Sequence, residues 1–166
     1  TYPLPAAELD RFMFKLLIGY PSPEEEVYIL EENMTIKDFS SFNLKPVIRK
    51  NEILEMQDLV QEIYLDEKIK KYIVRLTDAT RNPDKYNIKL GKYIDFGVSP
   101  RASISLFIAA KAEAFLHGKS YVVPEHVKTV AYDVMRHRIL VNYEGQSENI
   151  KTERIIDEIL AKVPIP

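Results

Sequence analysis

Cysteine is absent from the 166 residues of this chain, which excludes disulfide bonds, cysteine-ligated zinc and thiol catalysis. The 23 basic and 25 acidic side chains give a net charge of −2, whereas a general nucleic-acid binder carries a clear basic excess. The sequence has no signal-peptide pattern and no apolar run of about 18 residues, the length that a transmembrane helix needs. We therefore expect a cytoplasmic protein with no membrane span and no nucleic-acid partner.

Catalytic motifs are also scarce. The chain contains neither G-x-x-x-x-G-K-[ST] nor G-x-G-x-x-G, so it carries neither of these phosphate-binding loops. The three histidines, His117, His126 and His137, lack a zinc-ligand spacing such as H-E-x-x-H. We expect them at the surface or at helix ends, and we predict no metal site.

What the sequence does contain is a series of helix patterns. Apolar residues make up 46% of the chain and charged residues 29%, the composition of a folded globular protein. Apolar spacing and capping residues predict a short helical turn in "AAELDRF" and longer helices in the following segments: "SPEEEVYILEEN", "NEILEMQDLVQEI", "DEKIKKYIVRLTDATRN", "VPEHVKTVAYDVMRHRI" and "TERIIDEILAKV".

Strand signals are few. "MFKLLIGY", residues 13–20, has the length and apolar character of a strand, and "ILVNYEG" suggests a shorter one. We predict a linker with a short strand over residues 35–50 and a polar loop over 83–97. The fold class is therefore mainly α, a helical bundle with a short strand-containing remnant of another domain at its front. Because the chain begins without methionine, we expect it to be a piece of a longer protein.

The central helix raises the main question. In "DFGVSPRASISLFIAAKAEAFLHG", Ser99 can cap the helix, Pro100 fits its first position, and Gly118 fits just beyond its end. The helix is apolar almost all round, so we expect it inside the bundle with Phe107 in the core. Arg101 lies in the first turn, where the helix dipole opposes a cation. Arg101 is therefore unfavourably placed unless an anion meets it.

Two kinds of anion are open for Arg101. The free N–H groups of a first helical turn beside a guanidinium form a natural phosphate site, but Arg101 would equally be explained by a pair with a carboxylate such as Asp95 or by a solvated side chain. Arg11 in "LDRF" follows a short helical turn, where the dipole favours a cation without any function. The arginines of "MRHRI", Arg136 and Arg138, are typical of a solvated helix end.

Together these segments resemble a known family. "TYPLPAAELDRFMFKLLIGYPSPEEE" resembles the end of the core domain in MoxR-type AAA+ ATPases, and "GVSPRASISLFIAAKAEAFLHGKSYVVPEHVKTVAYDVMRHRI" resembles the helical lid that follows it. The resemblance implies three parts: the tail of the α/β core at 1–20, a connector at 21–50 and the lid at 51–166.

The resemblance also implies roles for individual residues. Arg11 corresponds to the arginine finger, which reaches ATP bound to a neighbouring subunit. Arg101 corresponds to the sensor-2 arginine, with Ser99 and Pro100 beside it in the nucleotide-binding set. Whether Arg101 would serve the ATP of its own subunit or of a neighbour stays open. The Walker A and Walker B motifs of such a parent must lie before residue 1, so this piece alone should neither hydrolyse ATP nor bind it tightly.

By resemblance, the parent binds ATP and Mg²⁺ and acts as a hexameric, chaperone-like machine. Its implied partners are neighbouring subunits, proteins with von Willebrand factor A domains, and clients that the sequence does not identify. The alternative is a non-enzymatic helical protein-interaction module in which Arg101 is a structural ion pair. Nucleic-acid binding through "MRHRI" and nearby lysines is disfavoured by the net charge.

Overall fold

A computed structural model describes residues 2, 4–33 and 42–166 of the chain. The described residues fall into two compact units, Thr1–Lys15 with Gln57–Pro166, and Leu16–Met56. The helices are α1 (Ala6–Leu9), α2 (Pro23–Asn33), α3 (Lys50–Glu62), α4 (Glu67–Arg81), α5 (Pro100–Leu116), α6 (Pro124–Met135), α7 (Tyr143–Ser147) and α8 (Thr152–Lys162). The predicted helices and the mainly α fold class are confirmed. The part boundaries at residues 20 and 50 stay a prediction.

The larger unit is a bundle of α4, α5, α6 and α8. Helices α5 and α6 share its most extensive contact, and α8 closes it against α4 and α6. Its centre is formed by fully buried side chains that all four helices contribute: Tyr72, Leu76, Leu106, Val134, Met135, Ile155, Ile156 and Ile159. The stability of this unit therefore comes mainly from apolar burial.

Two short strands lie at one side of the bundle. β1 (Ile94–Phe96) pairs antiparallel with β2 (Leu140–Val141), with an irregular register between Ile94 and Phe96. The strand predicted within "ILVNYEG" is thus confirmed. The predicted loop at 83–97 contains two 3-10 turns, Pro83–Tyr86 and Lys89–Tyr93, before β1 begins.

The strand predicted over residues 13–20 is not formed. Residues 14–20 have no regular secondary structure, because no described segment of the chain lies beside them as a second strand, and a lone strand is not stable in water. Of the predicted linker, residues 35–41 lie outside the described part, and residues 42–49 contain no strand.

Helix α5 is placed as predicted but packed differently. Leu106 is fully buried, whereas the expected core residue Phe107 is only half-buried and Ile104 and Ile108 are exposed. The expectation that Phe107 is central is therefore wrong. An apolar pattern all round a helix does not determine which face packs, and here the buried face carries Ala102, Leu106 and Ala109.

In the smaller unit, α2 begins with a capping box formed by Ser22 and Glu25. The Ser22 amide donates to Glu25 Oε2 at 2.8 Å, and the Glu25 amide donates to Ser22 Oγ at 3.2 Å. Each side chain satisfies an amide that the first helical turn leaves free.

No helix in the described ranges combines the length and apolar character needed to cross a membrane.

Candidate functional site

The site is built on the first turn of α5. Ser99 has extended backbone angles, and its Oγ accepts a hydrogen bond from the Arg101 amide at 3.2 Å. Pro100 occupies the first helical position, where a missing N–H costs nothing. Gly118, with φ of +65°, follows the end of the helix in the left-handed conformation that glycine accommodates best. The predicted helix limits are thus confirmed.

A carboxylate from the N-terminal stretch meets this turn. Ser99 Oγ donates to Asp10, with Oδ1 and Oδ2 at 3.0 and 2.9 Å. Arg101 Nη1 donates to Asp10 Oδ2 at 2.9 Å. An anion beside a helix N-terminus is favoured by the free N–H groups and the dipole. The structure therefore provides Arg101 with an anion from within the chain, namely Asp10 rather than Asp95.

The other oxygen of the same carboxylate faces a buried arginine. Arg138 Nε donates to Asp10 Oδ1 at 3.2 Å, and the Arg138 side chain is only 1% exposed. Two further donors reach the bundle, one to Ser105 Oγ at 3.2 Å and one to the carbonyl of Val134. The expectation that "MRHRI" forms a solvated helix end is therefore wrong for Arg138.

Arg138 also binds the backbone of the N-terminal stretch. Its Nη2 donates to the carbonyls of Asp10 at 3.1 Å and Phe12 at 2.7 Å, and its Nη1 donates to that of Met13 at 3.2 Å. With these bonds, every N–H-bearing nitrogen of the guanidinium has a partner. Burying an arginine is costly unless its donors are satisfied in this way.

Two neighbouring contacts hold the same stretch. His137 Nε2 donates to the Phe12 carbonyl at 3.0 Å, and the Lys15 amide donates to the Asp133 carbonyl at 2.9 Å. His137 and His126 are buried, whereas His117 is exposed at the end of α5. His126 and His137 lie at the two ends of α6, as the helix-end alternative predicted, but neither is at the surface, because neighbouring elements cover them.

The electrostatics of this cluster are mutually consistent. Burial opposes ionisation of Asp10, but hydrogen bonds from Arg101 and Ser99 and the charges of Arg138 and Arg101 outweigh it. The pKa of Asp10 therefore lies below its ordinary value. Burial lowers the pKa of Arg138, while Asp10 acts in the opposite direction. Both groups stay charged at neutral pH.

Arg11 lies beside this cluster but does not join it. Its side chain is 65% exposed, and its ion pair among the described residues is with Glu8 at 3.9 Å. A pair this exposed contributes little stability. The fold therefore brings the turn that carries Arg11 close to Arg101 through Asp10, while the Arg11 guanidinium remains in solvent.

Sequence reasoning missed Asp10 and Arg138. Asp10, the aspartate of "LDRF", had no predicted role, and Arg138, the second arginine of "MRHRI", was predicted in solvent rather than as a buried partner of Asp10. The available signal for Arg138 is its neighbourhood, because Met135 and Ile139 on either side are apolar and buried. No cluster of three or more acidic, histidine or cysteine residues within the described ranges could hold a metal ion.

Comparisons with known proteins agree with this architecture. Residues 91–159 match the family model of the AAA lid domain. The whole chain is 40% identical to the uncharacterized protein YeaC of Bacillus subtilis and 34% identical to Chaperone MoxR1 of Mycobacterium tuberculosis, covering 49% and 43% of those proteins. The chain belongs to the MoxR-type AAA+ family. It thus spans about half the length of these curated relatives.

A solved structure has a closely similar fold. A crystal structure of a protein from Cytophaga hutchinsonii, assigned as an ATPase, superimposes with a TM-score of 0.91 at 39% sequence identity. The alignment covers 99% of this chain and 50% of that one. The arrangement of helices described above is therefore also found in a longer protein, and residues 91–159 of this MoxR-type chain form its AAA lid domain.

Proposed function

We propose that this chain is the lid-bearing part of a MoxR-type ATPase whose parent hydrolyses ATP to remodel or mature client proteins. In this proposal Arg101 is the sensor-2 arginine and Arg11 is the arginine finger supplied to a neighbouring subunit. One observation carries the proposal. Through a single carboxylate, Asp10, the fold joins the first turn of α5 to the turn that bears Arg11. A relative named Chaperone MoxR1 supports the chaperone-like role.

The first turn of α5 fits a phosphate group. Arg101 uses Nη1 for Asp10 and is still 58% exposed, so other donors of its planar guanidinium are available. Asp10 orients the side chain without covering it. Phosphate oxygens could thus bind Arg101 beside the helix N-terminus, which favours anions.

Ser99 and Pro100 belong to the proposed nucleotide-binding set as residues that fix this turn. The Ser99 hydroxyl is already engaged with Asp10 and the Arg101 amide, and Pro100 has no N–H to donate. Their contribution is therefore to hold Arg101 at the start of the helix, while the arginine itself contacts the phosphate.

Arg11 has the exposure that its proposed role requires. ATP, when bound, supplies a phosphoryl group whose transfer builds up negative charge, and an arginine beside that group stabilises it. The Walker motifs and the Mg²⁺ ligands are expected in the parent before residue 1. On its own, this chain should neither bind ATP tightly nor hydrolyse it.

The remaining partners follow from the same proposal. The neighbouring subunits of a hexameric ring receive Arg11, and proteins with von Willebrand factor A domains act alongside unidentified clients. We also propose that the parent acts in the cytoplasm.

The test is ATP turnover by the full-length protein with Arg11→Ala or Arg101→Ala. Loss of an arginine finger lowers kcat by about 10³- to 10⁵-fold, and we expect Arg11→Ala to fall in that range. A smaller but clear loss is expected for Arg101→Ala. Arg81→Ala is the matched control, since Arg81 is an exposed arginine at the end of α4. It should turn over ATP normally.

Rings that mix two kinds of subunit test whether Arg11 acts on the ATP of a neighbouring subunit. Arg11→Ala subunits keep their own ATP site, so mixing them with subunits that retain Arg11 but cannot bind ATP should restore part of the turnover. Normal turnover by both Arg11→Ala and Arg101→Ala rings would contradict the proposal.

A second candidate, the helical interaction module, has one observation in its favour. A shallow groove of about 250 Å³ between α4 and α5 is lined by Ile73, Val74, Ile104 and Phe107, together with Lys70 and Ser103. Apolar surface of this kind is found where proteins dock. Under this alternative, Arg101→Ala would lower the melting temperature and leave ATP turnover unchanged.

A further inference from the structure

We infer that Arg138 is a positioning residue that fixes the turn bearing Arg11 and couples it to Arg101. The inference rests on the proposed function, because it assigns Arg138 a part in placing the finger. It concerns a residue buried in the lid bundle, away from the exposed guanidinium that it would position.

The bonds of Arg138 are concentrated on one short stretch. Four of its six hydrogen bonds go to residues 10–13, one to the Asp10 carboxylate and three to backbone carbonyls. The carbonyls of Asp10 and Phe12 are held on either side of Arg11, whose own side chain is 65% exposed. The backbone at Arg11 is therefore fixed, while its guanidinium is left to reach another molecule.

Asp10 connects Arg138 to Arg101 at the start of α5. Its Oδ1 accepts from Arg138 and its Oδ2 accepts from Arg101. A displacement of the α5 N-terminus thus acts on the same carboxylate that Arg138 holds against residues 10–13. Arg11 and Arg101 are 90 positions apart in the sequence, yet both depend on this one group for their placement.

A purely structural role is a poor explanation for this arrangement. Burying a charged pair is often no more stabilising than packing apolar side chains of similar volume. The stretch that Arg138 binds adds little to the apolar core, since Phe12 is exposed and Met13 is only partly buried against the core. Arg138 instead provides a set of directed hydrogen bonds to the turn that bears Arg11. Directed bonds of this kind fix the position of a group.

The experiment is a double-mutant cycle on ATP turnover by the full-length protein, measured in the steady state. A misplaced catalytic group costs up to about 10²-fold in rate, so we expect Arg138→Gln to lower kcat by about 10- to 100-fold with little change in KM for ATP. In the Arg11→Ala background, Arg138→Gln should cause no further loss, because there is no finger left to position. Arg138→Lys should restore part of the rate.

Two additional variants keep the test decisive. Arg154→Gln is the matched control, since Arg154 is exposed on α8, and it should leave kcat unchanged. Should Arg138→Gln fail to fold, Asp10→Asn carries the same cycle, because asparagine keeps the size and the Ser99 bond while removing the charge. Amide hydrogen exchange at residues 12–15 should be faster in either variant than in the parent protein.

The outcomes separate this inference from the proposed function. The positioning role would be overturned if Arg138→Gln turned over ATP normally, or if its loss in rate and that of Arg11→Ala multiplied in the double variant. In both cases Arg11→Ala alone would still lower kcat, so the proposed function would stand. Normal turnover by Arg11→Ala and Arg101→Ala instead removes the proposed function and the inference with it. If Arg138→Gln lowers kcat alone but causes no further loss in the Arg11→Ala background, the result supports both the proposed function and the positioning role.

Discussion

The stretch of residues 4–15 and the helical bundle lie in one compact unit but are held by different forces. In the bundle, side chains such as Leu106, Ile155 and Ile156 are fully buried in one apolar core. The stretch leaves Leu4 and Phe12 exposed and is fixed by hydrogen bonds from the end of α6 and the residues just after it. One region is thus held by apolar burial and the other by directed polar contacts.

The two forces have different consequences. Apolar burial is non-directional and tolerates small shifts, whereas a hydrogen bond weakens steeply when its angle changes. A stretch held by polar contacts can therefore be positioned accurately while adding little to the global free energy of unfolding. Such a stretch is suited to carrying a residue whose exact location matters.

The largest effect is expected in the apolar region. Leu106→Ala should lower the free energy of unfolding by about 2–5 kcal/mol, because it removes a fully buried side chain and leaves a cavity. Phe107→Ala, one position further along α5, should cost only about 1 kcal/mol, since Phe107 is half-buried. Urea unfolding of the two variants measures both values.

This pair also tests which face of α5 is packed. Equal losses for Leu106→Ala and Phe107→Ala, or a larger loss for Phe107→Ala, would contradict the description of the bundle centre. The half-exposed ring of Phe107 lies near Lys111, whose Nζ is 5.4 Å from the ring centroid. A small part of its cost therefore comes from that contact rather than from burial.

An intermediate effect is expected in the polar region. Asp10→Ala should cost about 1–3 kcal/mol, because it leaves Nε of the buried Arg138 without a partner. Arg101→Ala removes only the exposed side of the same cluster and should cost less than about 1 kcal/mol. Thermal unfolding with amide exchange distinguishes local release of residues 12–15 from global unfolding. A larger loss for Arg101→Ala would contradict the assigned contacts.

Local chemistry in the sequence was sufficient to predict the helix limits. Ser99 and Pro100 start α5 and Gly118 follows its end because capping depends on residues within one turn. The pairing of Arg101 with Asp10 was not predictable in this way, since the two residues are 91 positions apart. Only the folded chain brings them together.

The remaining errors have related physical causes. A strand over residues 13–20 requires a partner strand, which an apolar run cannot specify by itself. The burial of Arg138 requires acceptors from Asp10, Phe12 and Met13, all remote in sequence. The face of α5 that packs depends on its contacts with α4 and α6. In each case a non-local contact decided between structures that the local sequence allowed equally.

The smallest effect concerns a polar contact inside the bundle, at the start of α6. The Val123 amide donates to His126 Nδ1 at 3.2 Å, which requires the neutral imidazole. Burial, and then the charge of nearby His117, lower the pKa of His126, with Glu113 acting in the opposite direction. The unfolded chain therefore takes up this proton at a higher pH than the folded chain does. The stabilising contribution of this contact is complete above about pH 6.5 and is lost as the pH falls through the lower folded pKa.

His126→Gln isolates this contribution, because a glutamine at the third helical position can accept the same amide without titrating. Between pH 7.5 and 5 we expect the free energy of unfolding to fall less in His126→Gln than in the parent chain. The difference should be at most about 1 kcal/mol, the value of one hydrogen bond. His137, whose pKa burial also lowers, titrates in both proteins and so leaves the difference unaffected. Parallel pH curves for the two proteins would mean that the Val123 bond does not depend on the protonation of His126. His126 would then differ from Asp10 in this respect, because the bonds of Asp10 go to ionised arginines and depend on its charge.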